Sequence, residues 1–367
     1  MASNIGNVLK ITIFGESHGK AVGLVIDGLP AGFQIDTKEI EKDLQKRNPK
    51  DELSTPRHEA DEINWLSGIN LQNMTTEGTP LAFTINNEDL SSKDYEKGQI
   101  RPGTADLVSL IKADGNNDYR GAGFRSGRIT APLVVLGSIC KQLLAKKGIK
   151  IATHIAQIEG VFDRDFDFKT IDFDIEKLNN SLFAVLDENK SEQMKNLIKN
   201  AAESKDSLGG ILETVAVGLP IGLGEPYFDS LDAYVSRLFF SVGGVKGVLF
   251  GDGIDFANKP ASEMNDQLEK DENSPFGFRY LSNHSGGVTG GYSDGKPIVI
   301  KTVVKATPSI GKEQKSIKIE DNNIESINLN LKGRFDSSII QRVRVVLDSL
   351  LAFAILDLMM IDKGRKL

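Results

Sequence analysis

Residues 11–32 read ITIFGESHGKAVGLVIDGLPAG. Ile11-Thr12-Ile13-Phe14 is β-branched and aromatic, which favours a strand. Gly15 and Gly19 then flank Glu16, Ser17 and His18, where glycine lets polar groups come close to a ligand. A second apolar run, 23–26, follows and ends in the turn Gly28-Leu29-Pro30-Ala31-Gly32. The local expectation is a hairpin with an acid, a hydroxyl and an imidazole at its tip. The alternative is an ordinary glycine turn with a chance histidine.

The turn returns later. Ser207, Gly209, Gly218, Leu219, Pro220 and Gly222 repeat Ser17, Gly19, Gly28, Leu29, Pro30 and Gly32 at a constant offset of 190, and Asp206 stands where Glu16 stood. Leu208 occupies the place of His18. Each copy runs loop, strand, turn, helix (229–240 in the second). Each half also ends in a very apolar helix, 128–147 and 340–360. We therefore expect an internal duplication, two α/β halves of about 1–160 and 205–367 in one domain, 1–367. A charged connector spans about 162–205.

The remaining periodicity fills in this outline. Residues 36–47 predict a helix capped by Asp36 or Thr37, with Ile40 and Leu44 one turn apart. Strands are expected at 63–69, 81–85, 150–158 and 297–305, a strand and glycine turn at 245–256, and a helix around 188–204. Residues 86–127 carry much polar chemistry and little periodicity, as a site-forming loop would.

Composition narrows the function. With 367 residues and 40% hydrophobic content, a sizeable core is available. A net charge of −7 and a pI near 5.4 argue against nucleic acid or an anionic membrane as partner. Cys140 is the one cysteine, which excludes a disulfide framework and fits a reducing, cytoplasmic setting. No apolar run reaches the roughly 18–20 residues of a membrane span, and the start resembles no signal peptide.

Gly290–Lys296 matches a phosphate loop only superficially. Pro297 stands where magnesium needs Ser or Thr, and Asp294-Gly295 predicts a hairpin turn. No dinucleotide fingerprint joins a strand to a helix. His18, His58, His154 and His284 lack metal-ligand spacing. His154, in an apolar strand, reads as a satisfied core residue, and His58 as solvated. Arg47, Arg57, Arg101, Arg120, Arg125 and Arg128 crowd one polar region, and Arg334 lies in another glycine turn. Their planar forks suit a small polyanion, or else brace loops through ion pairs.

FGESHG with GLPAG (14–32), RPGTAD (101–106), DYRGAGFRSGRIT (118–130), DSLGG (206–210), GLGEPYFD (222–229), VKGVLFGDG (245–253), GGVTGGYSDGKP (286–297), KATPSIG (305–311) and GRFDSS (333–338) together resemble the chorismate synthase family, in order and over nearly the whole chain. The resemblance implies a lyase that eliminates phosphate from 5-enolpyruvylshikimate 3-phosphate in 1,4-anti fashion, using reduced FMN without net redox change. It implies an α+β fold, helices packed between two antiparallel sheets in pseudo-twofold halves, and a homotetramer.

Carried over by residue, His18 matches the acid that protonates the leaving phosphate, with Ser17 and Ser126 in the proton relay. Asp336 matches the aspartate that assists the flavin nitrogen. Arg125, Ser126, Gly243, Gly244, Gly290, Lys305, Thr307, Ser309 and Arg334 match flavin positions, and Arg47, Arg128 and Arg334 substrate-anion positions. The family pattern departs at Thr104 and Phe335, where histidines are usual, at 121–127, where GGGRSSA is common, and at Leu53, where an arginine is usual. Loss of one acid/base group costs roughly 10²–10⁴-fold in rate. A catalytically impaired paralogue that binds flavin or an anionic metabolite is the alternative. Whether the protein reduces flavin itself with NADPH is left open.

Overall fold

The computed structural model describes residues 3–49, 53, 61–88, 95–274, 276–320, 323–331 and 335–365. Arg334, Arg57 and His58 lie outside these. The first half runs β1 (Asn4–Ile5), β2 (Lys10–Gly15), β3 (Ala21–Asp27), α1 (Thr37–Arg47), β4 (Ile63–Ser67), β5 (Ile69–Asn70), β6 (Thr75–Thr76), β7 (Leu81–Asn86), α2 (Asp106–Lys112) and α3 (Ala131–Ala145). Then come β8 (Lys150–Ile158), β9 (Val161–Phe162), α4 (Ile171–Asn179) and α5 (Glu188–Glu203). The chain continues through β10 (Gly210–Val217), α6 (Leu231–Phe240), β11 (Val245–Phe250), α7 (Ala261–Met264), β12 (Leu268–Lys270), β13 (Phe278–Tyr280), β14 (Val288–Thr289) and β15 (Tyr292–Ser293). It ends with β16 (Ile298–Val304), β17 (Gln314–Glu320), β18 (Asn323–Leu329) and α8 (Ile340–Arg365).

Helices and several sheets make an α+β fold. Two five-stranded antiparallel sheets dominate, in the orders β1-β2-β3-β7-β4 and β9-β8-β10-β16-β11. The opening stretch is the expected hairpin, with Ile13 opposite Leu24 and residues 16–20 at its tip. In the same sheet Trp65 faces Phe83 across the strands at 5.5 Å between ring centroids. Asp36 caps α1 by accepting from Lys38 N, and Pro132 sits in the first turn of α3.

The two glycine-proline turns are built alike. Gly28 and Gly218 both have positive φ, and a Cβ on either would lie 2.4 or 2.5 Å from a carbonyl oxygen, of Val8 or Gly148. No other residue fits that approach. The Thr76 hydroxyl donates to Pro30 O (2.6 Å) and accepts from Phe33 N (3.0 Å). The Ser293 hydroxyl donates to Pro220 O (2.6 Å) and accepts from Leu223 N (2.9 Å). One expectation fails here. Asp294-Gly295 is not the hairpin turn. Val288 pairs with Ser293 and Thr289 with Tyr292, so Gly290-Gly291 makes the turn, as two adjacent glycines suit a two-residue connection.

α3 packs on β3 and β7 and against α8, which packs on β8 and β10. One apolar core runs through both sheets and these helices. α3 and the turns before it are long and apolar enough to cross a membrane by composition, but 67% of that window is buried in the core. Where α3 crosses α8, a Cβ on Gly137 would lie 2.1 Å from Ser349 Cβ and 2.2 Å from its Cα. Alanine for glycine inside a helix ordinarily gains up to about 1 kcal/mol. Here the helices would have to part by about 1 Å or more to restore carbon contact. Gly137→Ala should therefore destabilise by about 1–3 kcal/mol, read as a lower urea midpoint.

The charged stretch 162–205 does more than connect. Phe166, Ile175, Leu178, Ala184 and Leu186 close a second core over Ala152, Val215 and Val299. His154 is buried and satisfied, with Nδ1 2.7 Å from Asp163 and Nε2 3.0 Å from Glu213. Burial opposes its charge, but the two carboxylates outweigh burial and raise its pKa. Both acids are held below their usual range, burial being outweighed chiefly by His154. The histidine term is full below its ordinary pKa near 6.5 and fades as pH rises through the raised one. The acid terms are full above about pH 4–4.5 and fade as pH falls through the depressed values. The difference in urea midpoint between the unaltered protein and His154→Gln should be widest near pH 5–6.5 and narrow toward alkaline pH. A gap that is constant or grows above pH 7 would refute this.

Candidate active site

The tip of the β2–β3 hairpin buries both Ser17 (1% exposed) and His18 (7%). Its shape comes from four hydrogen bonds. Gly19 N donates to Glu16 O (3.0 Å), and Ser17 N donates to Gly123 O (3.2 Å). The Asn87 side-chain Nδ2 donates to Glu16 O and Gly19 O, both at 2.9 Å. Ser17 Oγ is buried with no hydrogen-bond partner among the described residues. It can pass a proton or hold a ligand, since an orphan buried hydroxyl is otherwise a cost.

A second loop closes over the pair. Gly121, at φ +54°, lies so near that a Cβ would be 2.8 Å from His18 Cδ2 and Nε2 and 2.9 Å from Ser17 Oγ. Gly121→Ala should displace the imidazole and lower any turnover that depends on it by about 10²-fold, as a 1 Å misplacement can. Equal turnover would show the ring to be mobile. Asp118 stands near His18. Burial works against its charge, but hydrogen bonds from Arg120 outweigh that and, with His18, hold the carboxyl below its usual range.

Arg47 and Arg128, far apart in sequence, converge on the buried carboxylate of Asp61. Arg128 pairs with Asp61 Oδ1, and Arg47 Nη2 lies 3.5 Å from Oδ2. Arg128 also donates from Nε to Asn87 Oδ1 and from Nη2 to Asn86 O, both at 2.9 Å. Two guanidiniums, groups suited to carboxylate and phosphate, are thus brought together in one buried place. Ser126, half-buried, accepts from Arg128 N at 3.3 Å and so caps the turn into α3.

Of the residues matched to flavin positions, Lys305 and Thr307 lie against the other loop, 206–210, and Gly244 joins them. Ser207 Oγ donates to Thr307 O (2.6 Å), and Leu208 N donates to Ser337 O (2.7 Å), beside Asp336. Asp336 Oδ1 lies 3.1 Å from Arg342 Nη2. Lys305 N donates to Gly244 O (2.9 Å), and its Nζ donates to Gly103 O (2.7 Å). Thr307 Oγ1 is buried without a hydrogen-bond partner among the described residues. Ser309 and Gly244 are half-buried, and Gly243 and Arg125 exposed. Gly290 is set apart. Its hairpin receives Leu231 N at the start of α6, whereas Gly243 follows that helix's end. Ten residues of helix put the two about 15 Å apart, so only an extended ligand reaches both.

The turn 101–104 bridges the two clusters. Tyr95 meets His18 edge-on at 5.3 Å, Arg101 lies over Tyr95 at 5.4 Å, and Arg101 forms a bidentate pair with Asp106. Thr104 Oγ1 donates to Arg101 O (2.9 Å) and accepts from Asp106 N (3.2 Å). It braces the turn and carries no acid or base. Sequence reading missed Asn87, Asp61, Tyr95 and Asp118. Asn87, Tyr95 and Asp118 lie within the polar, non-periodic stretch 86–127, which was the one hint of them, and nothing pointed to Asp61.

The comparisons with known proteins agree with one another. The family model for chorismate synthase matches residues 9–360. Chorismate synthase of Methanobrevibacter smithii is 42% identical over 97% of this chain and 96% of its own length. That of Methanocaldococcus jannaschii is 38% identical over 98% and 96%, as is that of Dehalococcoides mccartyi. A crystal structure of chorismate synthase superimposes with a TM-score of 0.77 at 26% identity, covering 98% of this chain and 94% of the other. The chain belongs to the chorismate synthase family of lyases.

Proposed function

We propose that the chain converts 5-enolpyruvylshikimate 3-phosphate to chorismate and inorganic phosphate with reduced FMN bound. The observation that carries this is the buried Ser17–His18 pair set beside the Arg47–Asp61–Arg128 cluster, an acid next to two guanidiniums suited to carboxylate and phosphate. Arg47 and Arg128 hold substrate anions, together with Arg334. His18 gives a proton to the departing phosphate, and Ser17 and Ser126 relay it. The fit to a phosphorylated flavin rests on the Lys305 ammonium, the orphan Thr307 hydroxyl two residues on, and the open backbone at Gly243. Arg125, Ser126, Gly244, Gly290, Ser309 and Arg334 complete that binding surface. When bound, reduced FMN supplies electron density and a nitrogen base for the second proton. Asp336 stands by to stabilise that proton.

The proposal extends to the architecture: one domain, with α3 and α8 packed between the two sheets as an internal pseudo-twofold duplication. The central place in each sheet of the strand that leads into the repeated turn (β3 and β10), and matching hydroxyl clamps at Thr76 and Ser293, support it. It also includes a homotetramer in the cytoplasm, and NADPH as a source of flavin reduction.

Anaerobic assay with reduced FMN and 5-enolpyruvylshikimate 3-phosphate tests the reading, with chorismate and phosphate appearing together. A second reading, a flavin-binding but impaired paralogue, is favoured by Thr104, whose hydroxyl is committed to its turn. Tight flavin binding without turnover, restored by Thr104→His, would select it.

A further inference from the structure

The side-chain amide of Asn87 holds two groups that act on different parts of the reaction. Its Nδ2 donates to Glu16 O and to Gly19 O at 2.9 Å, the carbonyls that bracket Ser17 and His18. Its Oδ1 accepts from Arg128 Nε at 2.9 Å. The amide cannot be turned the other way. Carbonyls only accept and a guanidinium only donates, so all three contacts would be lost. The backbone on either side joins in: Asn87 N donates to Lys20 O (3.1 Å), and Asn86 O accepts from Arg128 Nη2. Arg128 continues to Asp61 and, through it, to Arg47.

We propose that Asn87 is a positioning residue for His18, fixing the imidazole loop to the Arg128 anion site so that acid and anion are held in one register. The inference rests on the proposed roles of His18 and Arg128. A loop with glycines at both ends has little stiffness of its own. One nitrogen clamped to carbonyls on both sides of His18 supplies it, and the arginine keeps that nitrogen in place.

Asn87→Asp is the informative change. It is nearly isosteric and keeps the oxygen that meets Arg128. It turns an oxygen toward the two carbonyls where the donor stood. The turnover number at saturating substrate, counted per flavin-binding site so that misfolded protein drops out, should fall about 10–100-fold, while KM for 5-enolpyruvylshikimate 3-phosphate rises separately because the new carboxylate faces Arg128. In a His18→Ala background the same change should have almost no further effect, because Asn87 acts through that ring. Independently of turnover, carbethoxylation of His18 by diethyl pyrocarbonate, located by mass spectrometry, should quicken at least ~10-fold as the clamp opens. If Asn87→Asp keeps full turnover and the slow modification rate, or costs as much in the His18→Ala background, the proposal fails. If the unaltered protein makes no chorismate, the functional reading fails, while the modification rate still decides whether Asn87 holds His18.

Discussion

His18→Ala is expected to lower turnover by about 10²–10⁴-fold, the range for a lost general acid, while leaving reduced-flavin affinity within a few-fold. The ring is 7% exposed at the hairpin tip, and the Lys305–Thr307 cluster is anchored to a different loop. Removing the imidazole leaves the hairpin's strand pairing intact, because the clamp on that loop uses backbone carbonyls, not the ring. The assay is single-turnover phosphate release. The deficit should shrink for a substrate analogue whose leaving group needs no proton. A fall of less than about 3-fold would remove His18 from the proposed mechanism. With threonine at 104, no second imidazole stands on that turn to take over.

The largest expected effect on stability comes from Asp357→Ala. This carboxylate on α8 is fully buried. It accepts from Asn7 N (2.9 Å), Val8 N and Leu9 N (both 2.8 Å) and the Tyr234 hydroxyl (2.8 Å). Burial, and then Asp357, pushes the Tyr234 hydroxyl far above its ordinary pKa, so the phenol stays a donor at any working pH. Each buried donor left without an acceptor costs about 1–3 kcal/mol. Asn7 and Val8, both exposed, recover part of that from water. The net loss should be about 3–5 kcal/mol, chiefly from the buried Leu9 N–H and Tyr234 hydroxyl left without an acceptor. Asp357→Asn, which keeps one acceptor oxygen, should lose less. Denaturant unfolding measures both. Equal midpoints for Asp357→Ala and the unaltered protein would show that other groups carry this contact.

The repeat was legible because its turns rest on a local necessity: at Gly28 and Gly218 a side chain would strike a carbonyl. The β2–β3 hairpin, α1, α3, α5, α6 and α8 followed from periodicity and composition, whereas α2, α4 and the β17–β18 pair did not, and the motif residues followed from their resemblance to a family. The partnerships were not legible. Arginine at 47 and 128 suggested an anion site, yet nothing in the sequence puts Asp61 between them, because that meeting depends on how β4 and α1 are laid against the turn into α3. Asn87 looked like one more polar residue after a strand. Its importance lies in which carbonyls face it, a property of tertiary placement. The same holds for the charged stretch 162–205, where isolated apolar residues gave little sign of the second core they close.

Trp65 is the chain's one tryptophan, and it lies against Phe83 in the first of the two large sheets. Its emission is thus an optical signal from a single sheet, whereas far-ultraviolet dichroism averages over every helix and strand. A common apolar core joins both sheets, so the two signals should fall at one denaturant concentration. A tryptophan signal that falls first would mark the His18-bearing half as the one that opens alone.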